Sequence, residues 1–534
     1  MRITLICADD DRWAIGLRTI SSALTEAGHA TRLIFLAPST VTVTSQALKS
    51  IVSLGAQSDL FGVSSMSRGS GNAKAIIGGL KPLGKPIAWG GMHPTLYPQD
   101  CVDHADVVCR GEGEEFMVEL AERLESGRGF HDIRNGAVSR CGRMLSNGVR
   151  PPIADLDRLP IPDFSSEEEF TVSSGGGSLR ASAIRNSSSV LLTGSRGCLY
   201  SCHYCSNAQL KVLYAGMGPL ARKTSVSRFI EQVDACRRSF PKVRHFYFTD
   251  EDFFARPVDE IRQFAQDYPR SVGVPFECMA SPQQITEEKT SWLVKAGMWR
   301  VDIGVESGSD RIRRTIYHRP VSSATVLRAA AIVNGYPQLV AYYFFIIGNP
   351  YETRDDLLDT IGMIRRLPCP CFVRTYSLVF IPGTRLFEKA REDGIIQGLG
   401  DSGYEIDFLA GLDHRRHAWK QKNLYLDGLI SLMTGKAKPH RVGFVPRRLL
   451  PALVNPRWLD LNYRHAILGK IMIVSARWGR RARRVGFDLV SRVLRNPGTI
   501  HNPGSLRSFM ERRGFTAPRF RRRVERNSSP GFQR

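Results

Sequence analysis

The sequence predicts an α/β protein: a doubly wound parallel sheet, then a partial (β/α)6 barrel, then a basic and mainly helical C-terminal region. Three observations predict it. Apolar runs of strand length alternate with amphipathic helical stretches in two consecutive series. Three cysteines stand in one loop straight after the first strand of the second series. Basic charge gathers in the last fifth of the chain.

The first series has strands at 2–8 (RITLICA), 31–37, 59–66, 86–91 and 104–110, with helical stretches such as GLRTISSALTEAG and GEEFMVELAERLESG between or after them. This predicts a doubly wound sheet over residues 1–150. Prolines and an SSGGGS run mark 151–187 as a linker. The second series has strands at 189–195, 245–250, 274–280, 299–305, 339–347 and 372–380, again separated by helical patterns. Six such units suit a partial barrel over 188–395, whose reactive end is the C-terminal end of its strands. Residues 396–534 form the basic C-terminal region, with a disordered end expected.

The 534 residues are enough for two or three domains, and 42% of them are hydrophobic, enough for sizeable cores. Met1 is followed by a short apolar run and then three aspartates, which is not a secretory leader pattern. No apolar stretch is long enough to span a bilayer. The expectation is a cytoplasmic protein, where clustered cysteines serve metals more readily than disulfides. The formal net charge is +23, and from Arg441 onward 22 Lys and Arg stand against 4 Asp and Glu. Such a tail suits an anionic partner.

The cysteine loop reads RGCLYSCHYC, with Cys198, Cys202 and Cys205 at Cys-x-x-x-Cys-x-x-Cys spacing. Three thiolates can hold three irons of a [4Fe–4S] cluster and leave the fourth open, and an open metal position marks catalysis. The alternative is a zinc site completed by His203 or a remote cysteine. Further along, GVESGSD (304–310), IIGNPYET (346–353) and IPGT (381–384) follow the fourth, fifth and sixth strands. FTDEDFF (248–254) places Asp250 and Asp252 near the same mouth, as ligand contacts or as helix caps.

With Tyr204 as the aromatic between the last two cysteines, this set resembles the radical S-adenosylmethionine (SAM) superfamily over roughly residues 186–395. The resemblance implies that SAM chelates the open iron through its amino and carboxylate groups, and that one electron from the cluster cleaves its sulfonium to a 5′-deoxyadenosyl radical. It implies SAM contacts at Tyr204, Glu306, Ser307 and Gly348, and a reductant such as flavodoxin or ferredoxin.

At the strand ends of the first domain lie DRWAIG (11–16), SSM (64–66), GGMHPT (90–95) and GEGE (111–114). Paired glycines let a bulky ligand approach the backbone. The set resembles the cobalamin-binding domain of many radical SAM enzymes. That resemblance implies cobalamin contacts at Trp13, Gly16, Ser64, Gly90, Gly91, His93, Thr95, Glu112 and Glu114. In such domains Asp-x-His-x-x-Gly often supplies a histidine to cobalt, but here Trp13 takes its place, and an indole N–H has no lone pair to give. Trp13 is otherwise a core aromatic at a helix start, and His93 a residue that orients its turn.

The expected function is therefore cobalamin-dependent methylation of an unactivated carbon in a small-molecule or lipid-like substrate. The rivals are a radical cyclisation, rearrangement or oxidation with the same cofactors, an RNA methylthiotransferase, and a cobalamin-binding regulator. The methylthiotransferase would need cluster ligands in the first domain, where Cys7, Cys101, Cys109 and Cys141 are scattered. In the tail, residues 465–495 combine an apolar stretch with Arg480, Arg481, Arg483 and Arg484. They suit a helical cap over the barrel or peripheral membrane contact; nucleic acid is disfavoured, with no aromatic-interleaved module.

Overall fold

The computed structural model describes residues 1–37, 42–180, 185–398, 424–438 and 440–455. The tail segment 465–495 therefore lies outside the described residues.

The N-terminal strands are β1 (Arg2–Cys7), β2 (Ala30–Leu36), β3 (Leu60–Ser64), β4 (Ile87–Gly90) and β5 (Val107–Cys109), interleaved with helices α1 (Ile15–Glu26), α2 (Ser45–Gly55), α3 (Ser70–Leu80), α4 (Met92–Leu96) and α5 (Glu114–Glu125). The hairpin strands β6 (Gly136–Arg140) and β7 (Arg143–Ser146) follow, then β8 (Glu169–Val172) and β9 (Ser178–Arg180). Together they make one sheet of order β7-β6-β5-β4-β3-β1-β2-β8-β9. β1 pairs in parallel with both β2 and β3, so the chain reverses its winding between β1 and β3. A crevice at the C-terminal strand ends opens at such a point. Apolar side chains cover both faces: Ile6, Phe61, Ile77 and Trp89 on one, Leu5, Phe35, Phe116 and Leu120 on the other.

β8 and β9 lie inside the segment that reads as a linker. β8 pairs in parallel with β2. A four-residue strand with one charged end gives too short a pattern to stand out from its proline-rich surroundings. Its Glu169 is held by Arg18 of α1 in a two-pronged ion pair, both contacts 2.8 Å, with Arg18 fully buried.

All six strands of the second series form: β10 (Ser189–Leu192), then, past the short antiparallel pair β11 (Ser195–Arg196) and β12 (Arg222–Lys223), β13 (His245–Phe248), β14 (Phe276–Ala280), β15 (Met298–Glu306), β16 (Val340–Ile347) and β17 (Cys371–Ser377). The helices are α6 (Ser206–Leu213), α7 (Val226–Ser239), α8 (Val258–Ser271), α9 (Glu287–Lys295), α10 (Ser323–Asn334), α11 (Arg354–Arg366) and α12 (Arg385–Glu392). Two compact units result. One holds residues 1–305, 310–342 and the described part of 378–411; the other holds 306–309, 343–377 and the described residues beyond 411.

In the first unit β10, β13, β14 and β15 pair in parallel, in that order. Phe248 of β13 buries against Phe229, Phe264 and Tyr268 of α7 and α8, with Phe246 stacked beside it. In the second unit α13 (Leu424–Leu432) precedes β18 (Gly435–Ala437), which pairs antiparallel with β17.

Candidate active site

The loop after β10 turns at Gly197, whose φ is +76° and whose absent Cβ would stand 2.4 Å from the Leu220 carbonyl oxygen, so no larger residue fits. Cys198, Cys202 and Cys205 follow, with Cys202 buried and the other two half-buried. Each sulfur accepts an N–H: Cys198 from the Tyr200 backbone at 3.5 Å, Cys205 from Asn207 Nδ2 at 3.8 Å, and Cys202 from Arg319 Nη1 at 3.7 Å. Burial pushes the Cys198 thiol up to about 11 and that of Cys205 up to about 12.

Among the described residues, a group of three possible ligand atoms within 4.8 Å of one another occurs at His93, Asp100 and Cys101. The His93 group is a closed hydrogen-bond network. His93 joins Ser67 Oγ at 3.1 Å and Asp100 at 3.0 Å, and the Cys101 thiol donates to the Tyr97 carbonyl.

Tyr204 packs edge-on against Tyr317, with ring centroids 5.0 Å apart. At the end of β13, Asp250 accepts from the Gly194 backbone N–H at 3.1 Å. Asp252 starts the short turn Phe253–Ala255 without capping it. It is 9% exposed. Burial, opposed in part by the Ser281 backbone N–H, by the charges of Arg319 and Lys289 and by the Phe254 backbone N–H, raises its carboxyl to about 7.

Two further groups escape a motif reading. Arg319, 8% exposed, donates to Ser281 Oγ at 3.1 Å and the Gly304 carbonyl at 2.9 Å besides Cys202. A charged row also crosses the strands: Arg300 holds Asp302 with two contacts of 2.7 and 2.8 Å and Glu277 with one of 2.8 Å, and Tyr247 donates to Asp302 at 3.0 Å. The signal was present in HFYF, PFEC and WRVDIG, where polar residues recur at every second position of otherwise apolar strands.

In the second unit Glu306 ends β15 at φ +70°, a conformation a non-glycine residue holds only at a cost. Ser307 is fully buried and reaches Glu352 and Thr360 at 3.4 Å each. Gly308 lies against α11, where a Cβ would stand 2.2 Å from the Thr360 Cα. Gly348 (φ +69°) has open space beside it and donates its N–H to Asp427 at 3.3 Å.

At the strand ends of the N-terminal sheet, Ser64, Gly90 and Gly91 are half-buried. Gly91 is required by its own turn: at φ +101° a Cβ would stand 2.6 Å from the Ser65 carbonyl oxygen. Gly16 meets no such restriction. Thr95 is buried, bonding the Gly91 carbonyl at 2.7 Å and receiving the Gly111 N–H at 3.0 Å. Glu112 pairs with Arg222 at 2.7 Å and Arg196 at 3.2 Å and accepts the Ile153 N–H at 2.7 Å; Glu114 pairs with Arg196. These carboxylates join the sheet to the strands flanking the cysteine loop. Trp13 is 7% exposed, with its ring 5.6 Å from that of Phe240.

Two family profiles match this chain: the B12 binding domain over residues 1–121 and the radical SAM superfamily over 192–364. The chain is a B12-binding radical SAM protein. The cofactor set of its two domains is a [4Fe–4S] cluster, SAM and cobalamin. The fold of this radical SAM protein matches that of the radical S-adenosylmethionine methyltransferase TsrM of Kitasatospora setae, solved with cobalamin and a [4Fe–4S] cluster. The TM-score is 0.63 at 14% identity, over 89% of this chain and 99% of that one.

Among curated relatives, an uncharacterised methyltransferase of Pyrococcus horikoshii is 26% identical over 61% of this chain and 68% of its own length. The anaerobic magnesium-protoporphyrin IX monomethyl ester cyclase of Rubrivivax gelatinosus is 26% identical over 52% of this chain, which spans 48% of the cyclase. The protein is thus a radical SAM enzyme whose curated relatives include a methyltransferase and a cyclase.

Proposed function

We propose that this enzyme methylates an unactivated carbon of a small-molecule or lipid-like substrate. The observation that carries the reading is the loop of three cysteines at a strand end, with a buried carboxylate at the next strand end. When bound, the cluster and SAM supply a radical that removes a substrate hydrogen, and cobalamin supplies the methyl group.

Cys198, Cys202 and Cys205 hold three irons and leave one for SAM. Asp252, a buried carboxylate at the next strand end, receives the SAM ammonium. Tyr204 braces the loop against Tyr317. Glu306 offers a carboxylate to ribose hydroxyls, Ser307 fixes the turn behind it, and Gly348 leaves its backbone approachable. In the first domain Ser64, Gly90 and Gly91 meet the corrin edge, with Gly16 at the head of α1. His93, Thr95, Glu112 and Glu114 support those loops from beneath. Trp13, packed on Phe240, gives no ligand to cobalt.

A low-potential donor of the flavodoxin or ferredoxin class delivers the electron, in the cytoplasm or at a membrane surface. No helix among the described residues is long and apolar enough to cross a membrane.

The test is the product formed with deuterated-methyl SAM once a candidate substrate is in hand. Retention of the labelled methyl supports the reading. A product without it favours a cyclisation or rearrangement, the second reading, which the cyclase relative supports. Replacing all three loop cysteines by Ala is expected to abolish iron binding and SAM cleavage together; a full cluster in that variant would place the ligands elsewhere.

A further inference from the structure

We propose that Arg319 sets the reduction potential of the iron–sulfur cluster, through its guanidinium-to-sulfur hydrogen bond to Cys202, and that a stacked histidine pair holds it in position. The inference rests on the reading that Cys198, Cys202 and Cys205 carry the cluster, and goes beyond it by naming what tunes that cluster.

The geometry is specific. Arg319 is buried, and its Nη1 points at the Sγ of Cys202, the most buried of the three cysteines, at 3.7 Å. Its Nη2 is tied to the Gly304 carbonyl at 2.9 Å and to Ser281 Oγ at 3.1 Å, so the ends of β14 and β15 fix the direction of the group. Tyr200 of the same loop lies against it, 5.6 Å from ring centroid to guanidinium carbon.

The backbone is set from the other side. His318 holds φ +49°, an uncommon conformation for a residue with a side chain. Its ring stacks on that of His203 in the cysteine loop, centroids 4.7 Å apart and planes within 8°. His203 in turn receives the Leu386 N–H on its carbonyl and gives its own N–H to Tyr317, at 3.0 and 2.9 Å. The stack and these two bonds lock the 317–319 segment to the loop that carries Cys202.

The sign follows from charge. Reduction adds one electron, and the added negative charge falls partly on the cysteine sulfurs. Hydrogen bonds to those sulfurs and net charge near them are among the levers that set iron–sulfur potentials. The other two sulfurs receive neutral amide N–H groups. Cys202 receives a cationic donor in a buried setting, where such bonds are stronger. Arg319 therefore raises the potential and eases reduction by an external one-electron donor.

The experiment compares full-length wild type, Arg319→Gln and Arg319→Lys, each reconstituted anaerobically. Iron per chain is measured, and the midpoint is read by paramagnetic resonance during titration with dithionite, without SAM or substrate. Equal iron is expected in all three. In Arg319→Gln the equilibrium constant for reduction is expected to fall about tenfold, a shift of about 59 mV for one electron. Arg319→Lys keeps the charge and is expected to shift by less than half of that. Full iron in Arg319→Gln with an unchanged midpoint overturns the proposal, as does a Lys variant that shifts as far as Gln.

Should Arg319→Gln hold no iron, His318→Gly takes over, since glycine tolerates the positive φ and only the stack is lost. A lowered midpoint there supports the proposal and an unchanged one overturns it. Failure of the wild type itself to take up iron would instead strike the assignment of the cluster to the three cysteines.

Discussion

Asp252 shows what a buried carboxylate costs its own fold. A carboxyl raised from 3.8 to about 7 by burial keeps its proton in the folded chain over a range where the unfolded chain has released it. Stability is then full below the unfolded value and is lost as pH rises through about 4 to 7, by up to roughly 4 kcal/mol. Asp252→Asn removes the buried charge. The metal-free variant is expected to melt above wild type at pH 8, with the gap closing by pH 4. Thermal unfolding across that range checks it, and a gap independent of pH would show that Asp252 carries no such penalty. Gly91 makes the opposite case, a residue that serves its own turn. Gly91→Ala is expected to destabilise by at least about 1 kcal/mol, because positive φ and a blocked Cβ position act together; urea unfolding reads it.

At the scale of elements, the carboxylates of GEGE connect α5 to β11 and β12. Glu112 sits between two arginines, and their charges outweigh its burial and hold its carboxyl below the usual range. Arg222 is 5% exposed on its side chain, so removing the carboxylate strands a buried cation. Glu112→Gln is expected to cost about 3 kcal/mol in chemical unfolding. Adding Arg222→Met is expected to recover part of that loss, and a double variant no more stable than Glu112→Gln would deny the pairing. The motif was legible in the sequence, but its partners were not. Arg196 and Arg222 lie about 80 and 110 positions further on, and only the folded chain brings them to Glu112 and Glu114. Beside its glycine turn, GEGE thus clamps segments far apart in the chain. The same holds at DRWAIG, where the fully buried Arg18 binds the carbonyls of Arg12 and Trp13 at 2.8 and 2.9 Å and so fixes the loop.

Over the whole molecule, the cobalamin reading makes a spectroscopic prediction. The cob(II)alamin-loaded protein is expected to show no strong nitrogen coupling from a protein ligand, since Trp13 is packed on Phe240. A three-line nitrogen splitting that survives Trp13→Phe would name another ligand. The tail makes a physical one. Full-length protein is expected to float with anionic vesicles at low salt, and a chain ending at Asn455 to stay behind. If both stay behind, the membrane role fails.

The sequence by itself determined the two strand–helix series, the spacing of Cys198, Cys202 and Cys205, and the absence of an imidazole at Trp13. Each depends only on neighbours within a few residues: burial on a strand or helix imposes a local period, and a motif is a local string. Tertiary structure alone decided that β8 joins the sheet, that Glu112 and Glu114 pair with arginines, that Asp252 is buried, and that Arg319 faces Cys202. These are matters of which buried polar group finds a partner, and burial and partnership arise only when segments tens to more than a hundred residues apart exclude water together.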